Sequence, residues 1–421
     1  ARRRSARRAA PRRAPAPRAA AAGADSGSDS GSERGFVDGI VFAVKRWLTN
    51  WYIDGVSDEA GIYKLAERFP EKTRATFDGL FQCYKRELIK GVGNESEGTR
   101  LTIDVFKKMI RTYAEQMADP YQFPSYHTAI REPFDYFALG NQYTGQLVDF
   151  DRSVMRNAEG WDQIQEWMAK GENVVLLANH QSEADAAFIP LLTEVSHPGL
   201  GEKVTYVAGA RVVADIMAKP FSMGRNLLCV HSKKHMKEDR AAKMKQNLRT
   251  LKEMERLFRE GGLLLWIAPS GGRDRRAPDG TLKPDNFDPA AVEMVRKIGT
   301  KAGMPKTHYL PFAMATYDVM PPPSSVGGDV GEVRTVNFTG VGLSIGEEVD
   351  VTEAGEWAAG LGEEPTSEER TAALAEYVHK AVTEEYEMIE GCTGTGEPFP
   401  LPEKCSRPWQ AQQAKAEVAA A

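Results

Sequence analysis

The chain has 421 residues, with 54 Lys and Arg against 59 Asp and Glu, a formal charge of −5. That length allows a large core and about two domains, and no apolar run approaches the length of a membrane span, so a bilayer is at most a peripheral partner. Four scattered cysteines, Cys83, Cys229, Cys392 and Cys405, lack metal-ligand spacing and imply neither a disulfide framework nor a zinc site.

Residues 1–24 hold eight arginines and no acid, and a Ser/Gly/Asp-rich stretch follows to Glu33. An Arg-rich, acid-free leader has the composition of an organelle transit peptide. Without residues 1–24, 46 bases face 59 acids, a formal charge of −13. So acidic a body is a poor nucleic-acid binder.

From Phe36 to Met117 the apolar residues follow helical spacing, as in Val37, Ile40, Val41, Val44, Trp47 and Leu48, and again in Leu101, Val105, Phe106, Met109, Ile110 and Tyr113. The expected organisation is a leader over 1–34, a small helical domain over 35–118, a catalytic domain over 119–410 and a tail over 411–421. A Pro/Tyr-rich connection spans Pro120 to Pro133. Strands are then predicted at Val174–Ala178, Val204–Ala208, Leu227–His231, Leu263–Ala268, His308–Ala315 and Val333–Phe338, with helical segments between several of them. The alternation predicts an α/β fold, a mixed, mostly parallel sheet flanked by helices. Thr366-x-x-Glu369 is a capping box opening a helix that continues to about Glu390.

Three polar clusters each follow a predicted strand. His180 and Asp185 follow the first. A histidine leaving a buried strand with a carboxylate close behind suits a general base whose imidazole is oriented by an acid. Five residues on one helix would diverge, so the pair needs a turn, with His180 in the loop and Asp185 in the first helical turn. Lys233, Lys234 and His235 follow Leu227–His231, and the loop Pro269 to Arg276 follows Leu263–Ala268. In open α/β sheets ligands gather beyond the carboxyl ends of strands, where parallel neighbours would bring these clusters together. Gly271 and Gly272 let backbone N–H groups approach an anion, and Arg273 and Arg275 offer planar forks for phosphate oxygens. With Lys234 and His235 they resemble a monophosphate pocket, the alternative being a solvated basic turn, and Arg276 is expected to face solvent.

Residues 233–252 hold eight Lys or Arg against two acids, with Met244, Leu248, Leu251 and Leu257 on one helical face and a cationic outer face. The remaining histidines, His127, His197, His231, His308 and His379, read as structural. The chain has no nucleophile elbow, no phosphate loop ending in Gly-Lys-Ser/Thr and no dinucleotide fingerprint after a strand.

Asn179-His180-Gln181-Ser182-Glu183-Ala184-Asp185 resembles the first block of the glycerolipid acyltransferases. Ser232-Lys233-Lys234-His235-Met236 and Trp266 to Arg275 resemble, more narrowly, the soluble plastid glycerol-3-phosphate acyltransferases, as do Phe123 to His127 and Glu132 to Tyr136. The resemblance runs from about Phe36 to Cys405. Membrane-bound relatives carry Phe-Pro-Glu-Gly-Thr-Arg where this chain has Ile267 to Arg273, which favours the soluble plastid branch.

The resemblance implies acyl transfer from acyl carrier protein, or acyl-CoA, to the sn-1 hydroxyl of glycerol 3-phosphate in the chloroplast stroma. His180 would be the base, Asp185 its orienting acid, and Lys234, His235, Arg273 and Arg275 the phosphate ligands. No metal or other cofactor is expected, because a thioester is already activated. An apolar groove should take the acyl chain. The basic helix is a candidate dock for an acidic carrier, through Lys243, Lys245 and Arg249. The alternatives are another phosphorylated acceptor, lysophosphatidate or dihydroxyacetone phosphate, or a non-catalytic phosphometabolite-binding protein.

Overall fold

The computed structural model describes residues 51–231, 239–322, 334–392 and 400–410, all within one unit spanning Thr49–Ala421. The expected transit leader, the helical pattern from Val37 to Leu48, and the residues from Lys233 to Met236 lie outside the described residues.

Among the described residues, after a helical turn at 51–54, come α1 (Glu59–Ala66), α2 (Glu71–Val92) and α3 (Glu95–Ala118). Their ends follow local chemistry. Asp58 and Asn94 cap α1 and α3 by accepting from the N–H groups of Gly61 and Glu97, each satisfying an orphan donor of the first turn. α2 stops where Gly93 takes a left-handed backbone, φ 70°. Phe77 and Phe81 of α2 pack edge-on against Phe106 of α3, with ring centroids 5.3 and 4.9 Å away.

Among the described residues the chain then builds a nine-stranded mixed sheet: β1 (Tyr126–His127), β2 (Val154–Arg156), β3 (Asn173–Ala178), β4 (Val204–Gly209), β5 (Asn226–Val230), β6 (Leu264–Ile267), β7 (Thr307–Ala315), β8 (Gly342–Ile345) and β9 (Cys405–Ser406). Their spatial order is β1-β5-β4-β6-β3-β7-β8-β2-β9. The central strands β5, β4, β6, β3 and β7 are parallel, and antiparallel pairings join β1 to β5, β7 to β8 and β2 to β9. The intervening helices are α4 (Tyr136–Gly145), α5 (Glu159–Ala169), α6 (Asp185–Thr193), α7 (Ala210–Ala214), α8 (Lys219–Met223), α9 (Arg240–Glu260), α10 (Pro289–Gly299) and α11 (Ser367–Glu387).

β3 is buried on both faces, which is why its sequence is a continuous apolar run rather than an alternating one. Val174, Leu176 and Ala178 belong to one core, shared with α2, α3, α5 and α6. Val175 and Leu177 belong to the other, shared with α9, α10 and α11. The N-terminal helices thus share a core with one face of the sheet. The capping box at Thr366 and Glu369 is formed, and α11 runs from there to Glu387.

Two expectations need correction. Of the expected strand Val333–Phe338, residues 334–338 are irregular, and the strand of that region is β8. These residues instead follow a loop that turns Val336 into the core and Arg334 into an ion cluster. On α9 the apolar stripe is misassigned. Met244 and Leu248 are 47 % and 59 % exposed, whereas Thr250, Met254 and Phe258 face inward. The inner face begins with polar residues because they serve the end of β5: Thr250 donates to the Cys229 carbonyl, and the Asn247 side chain bonds both backbone groups of His231.

Candidate active site

Because β3 to β7 run parallel, their carboxyl ends share one edge of the sheet, and the site lies there. β3 ends at Ala178. The next residues then alternate as a strand would. Asn179 and Gln181 turn back to the sheet, and His180 between them faces the opposite way. Asn179 Oδ1 accepts from Met314 N–H at 2.8 Å, and its Nδ2 donates to the Met314 carbonyl at 3.0 Å. Gln181 Oε1 accepts from Thr316 N–H at 2.9 Å and Tyr317 N–H at 3.1 Å. Two side-chain amides therefore serve β7 and its continuation where β3 has stopped, leaving no backbone donor orphaned at those positions.

Asp185 is the first residue of α6, as the turn between it and His180 requires. Its carboxylate is buried and saturated. Oδ2 accepts from His180 Nδ1 at 2.8 Å and Gln181 N–H at 2.8 Å, and Oδ1 accepts from Ser182 N–H at 3.1 Å and Thr316 Oγ1 at 2.6 Å. With Nδ1–H donated to Asp185, Nε2 becomes the ring's proton-accepting nitrogen. The imidazole stands edge-on to Trp266 of β6, centroids 5.7 Å apart.

The third cluster reaches the first. Gly271 adopts φ 65°, and the loop folds so that Asp274 N–H donates to the His180 carbonyl at 2.6 Å. The Asp274 side chain is fully buried, accepting from Asn179 Nδ2 and Asp285 N–H, each at 2.9 Å. Burial pushes its carboxyl up to about 7 against these donors. This buried anchor fixes Arg273 and Arg275, which flank it. Arg273 Nη1 lies 3.1 Å from Glu183 Oε1, and Arg275 is half-buried. Arg276 is exposed, over the Tyr317 ring and paired with Asp318 at 3.0 Å. His180, Asp185 and Arg273 thus meet in one place. Lys234 and His235 lie outside the described residues, beyond the carboxyl end of β5.

A further group was not foreseen in the sequence. Arg334 is buried and bridges two carboxylates, Nε to Glu183 Oε2 at 2.9 Å and Nη2 to Asp215 Oδ2 at 2.6 Å. Burial pushes both carboxyls up, but Arg334, with Arg273 helping at Glu183, holds each below its ordinary range. Burial lowers Arg334 in turn, and the two carboxylates more than reverse that. Arg334 lies 151 residues from Glu183 and 119 from Asp215. No spacing rule connects them. The only local signal was an arginine beside an apolar stretch.

From His180 a cleft of about 160 Å³ runs beneath the N-terminal helices. Leu80 of α2, Met109 and Tyr113 of α3, Tyr143 of α4, Phe221 of α8 and Trp266 of β6 give it a mainly apolar wall. The elements α2 and α3 therefore form part of the site as well as of the core.

The His180–Asp185 pair thus stands beside an arginine loop at the mouth of an apolar cleft. A family model described as acyltransferase matches residues 157–315. The chain is 39% identical over 349 residues to the chloroplastic glycerol-3-phosphate acyltransferase of Arabidopsis thaliana, covering 80% of this chain and 74% of that one. To the enzyme of the same name from Spinacia oleracea it is 38% identical over 351 residues, covering 81% and 72%. To that of Pisum sativum it is 36% identical over 361 residues, covering 83% and 77%. The chain belongs to the glycerol-3-phosphate acyltransferase family.

Proposed function

We propose that the chain transfers a fatty acyl group from a thioester donor to the sn-1 hydroxyl of glycerol 3-phosphate, giving lysophosphatidate and a free thiol. The observation that carries this reading is the His180–Asp185 pair at 2.8 Å, placed at the head of an apolar cleft. His180 Nε2 takes the hydroxyl proton as the oxygen attacks the thioester carbonyl. Asp185 stabilises the imidazolium that forms, its own four partners keeping it in place. Collapse of the tetrahedral intermediate breaks the C–S bond, and the proton passes from His180 to the leaving sulfur.

Arg273 and Arg275 hold the phosphate, with Lys234 and His235 as the ligands expected from the neighbouring loop, and so bring the hydroxyl to the base. Positioning of this kind is a large share of catalysis in a two-substrate reaction. The cleft receives the acyl chain. No metal or organic cofactor takes part in this scheme.

The donor in this reading is acyl carrier protein, an acidic partner that docks on α9. There Met244 and Leu248 lie exposed beside exposed Lys245, Arg249 and Lys252, an apolar patch ringed by cations that steers and then seats an acidic surface. The relatives are named chloroplastic, and the plastid stroma is the proposed location.

The test is transfer from oleoyl- and palmitoyl-acyl carrier protein to labelled glycerol 3-phosphate by the wild type, His180→Ala and Asp185→Asn. The wild type should form product. His180→Ala should lose nearly all of it, and Asp185→Asn, with the tautomer no longer fixed, should lose roughly 10³- to 10⁴-fold in kcat. Equal turnover by His180→Ala would refute the assigned base, and binding without turnover by the wild type would refute acyl transfer from these donors.

A further inference from the structure

The far end of the cleft is not apolar. Leu176, Trp266, Tyr206 and Leu227 pair in register across β3, β6, β4 and β5, so they mark one level of the sheet. Trp266, Tyr206 and Leu227 all line the cleft. His180 stands four residues past Leu176, and Arg225 two residues before Leu227, so about 20 Å of strand rise separates their levels. Arg225 has the same parity as Leu227 and lines the same cleft. The cleft thus runs down the sheet from His180 to Arg225.

Arg225 is 6 % exposed, and burial lowers its guanidinium to about 10. Its Nη2 donates to Asn141 Oδ1 at 2.6 Å, and its Cζ lies 4.6 Å from the centre of the Phe137 ring. Among the described residues Nη1 has no hydrogen-bond partner and the side chain forms no ion pair. The chain reaches this position through Gly224, where a Cβ would come within 2.5 Å of the Tyr136 backbone. That close approach presses the Arg225 turn against α4. Beside it the end of the cleft is walled by Gly140 of α4, and Phe221 and Ser222 of α8.

A buried cation whose polar atoms are incompletely satisfied is a poor neighbour for a methyl terminus, since an alkyl chain pressed against it removes what solvation remains and returns no hydrogen bond. A chain that fills the cleft without touching the guanidinium loses nothing. We propose that Arg225 is the distal stop of the acyl pocket and the specificity-determining residue for acyl length. Chains that end short of it are accepted, and chains that would reach past it are rejected. This rests on the acyl-transfer reading of the site, and it concerns the end of the pocket remote from the chemistry. About 20 Å, the reach of an extended long-chain acyl group, is the span the register gives.

The experiment is a donor series of lauroyl, myristoyl, palmitoyl, stearoyl and arachidoyl thioesters of acyl carrier protein, with kcat/KM measured for each and KM for glycerol 3-phosphate alongside. Arg225→Leu removes the cation and frees length. It should raise the ratio of arachidoyl to palmitoyl turnover by at least roughly tenfold, the scale on which one methylene is discriminated in an apolar pocket. Gly140→Val works in the opposite sense. Its new side chain grows from a point where a Cβ already lies 3.2 Å from Arg225 Nη2, and it should move the optimum to a shorter donor.

KM for glycerol 3-phosphate should stay within about twofold in both, because the phosphate ligands lie at the other end. Should Arg225→Leu not fold, the Gly140→Val arm decides alone. Variants that keep the wild-type order of donors overturn the stop while leaving acyl transfer intact. A wild type that transfers none of the series overturns the acyl-transfer reading, and the stop with it.

Discussion

Replacing Arg334 by Met removes the cation shared by Glu183 and Asp215 while keeping most of the side chain's bulk. All three side chains are largely buried, at 9 %, 19 % and 15 % exposure, so solvent does little to screen the loss. Glu183 keeps Arg273 at 3.1 Å. Asp215 keeps only backbone donors, Met217 N–H at 2.8 Å and that of Ala218. Removing one partner of a buried pair costs about 3–5 kcal/mol, and with Glu183 still paired the lower end, about 3 kcal/mol, applies.

Urea denaturation of wild type and Arg334→Met measures this at neutral pH. The pH dependence tests the cause. Both carboxyls are held below their ordinary range in the folded protein, so their contribution is present above the unfolded values and is lost as pH falls through the folded ones. The gap between variant and wild type should therefore shrink below about pH 4. Adding Asp215→Asn to Arg334→Met removes the stranded charge and should restore about 1 kcal/mol or more. A neutral-pH gap under about 1 kcal/mol, or one unchanged in acid, would refute the assignment of Arg334 as the clamp.

Asp274 should show the opposite slope. Burial raises its carboxyl to about 7, so the folded state holds the proton longer than the unfolded state and stability drains away as pH rises from about 4 to about 7. Subtracting the Asp274→Asn curve from that of the wild type isolates this term, and a flat difference would show the two amide donors to be the stronger influence. On α9, Lys245→Glu with Arg249→Glu should raise KM for carrier-bound donors by about tenfold and blunt its salt dependence while sparing acyl-CoA. Equal effects on both donors would remove α9 as the docking face.

How much of this could be read from the chain depends on how local each cause is. β3 was legible because burial on both faces leaves a continuous apolar run, and the α11 start because its capping box closes within four residues. The His180–Asp185 turn and the Arg273–Arg275 loop were legible for the same reason, each lying within one segment beside a strand. The short edge strands β1, β2 and β9 were not, since two or three residues carry no period. α9 misled because its inward face spends Asn247 and Thr250 on the end of β5, leaving Met244 and Leu248 as the visible stripe. Arg334 and Arg225 were invisible for a different reason. A buried arginine is recognised only by what surrounds it, and its surroundings come from segments far away in the chain.

The side-chain ladder after β3 sets a strict rule of phase. Asn179 and Gln181 occupy the inward beats and His180 the outward one, so the imidazole is aimed by the same two-residue rhythm that builds the sheet. Inserting one residue between Ala178 and His180, or deleting Asn179, would leave the composition of the segment almost unchanged, yet it would turn the imidazole into the protein interior. Away from His180 and Asp185 the segment should therefore tolerate exchange of side chains more readily than a change of length ahead of His180, and a gap there should be as damaging as loss of the imidazole itself.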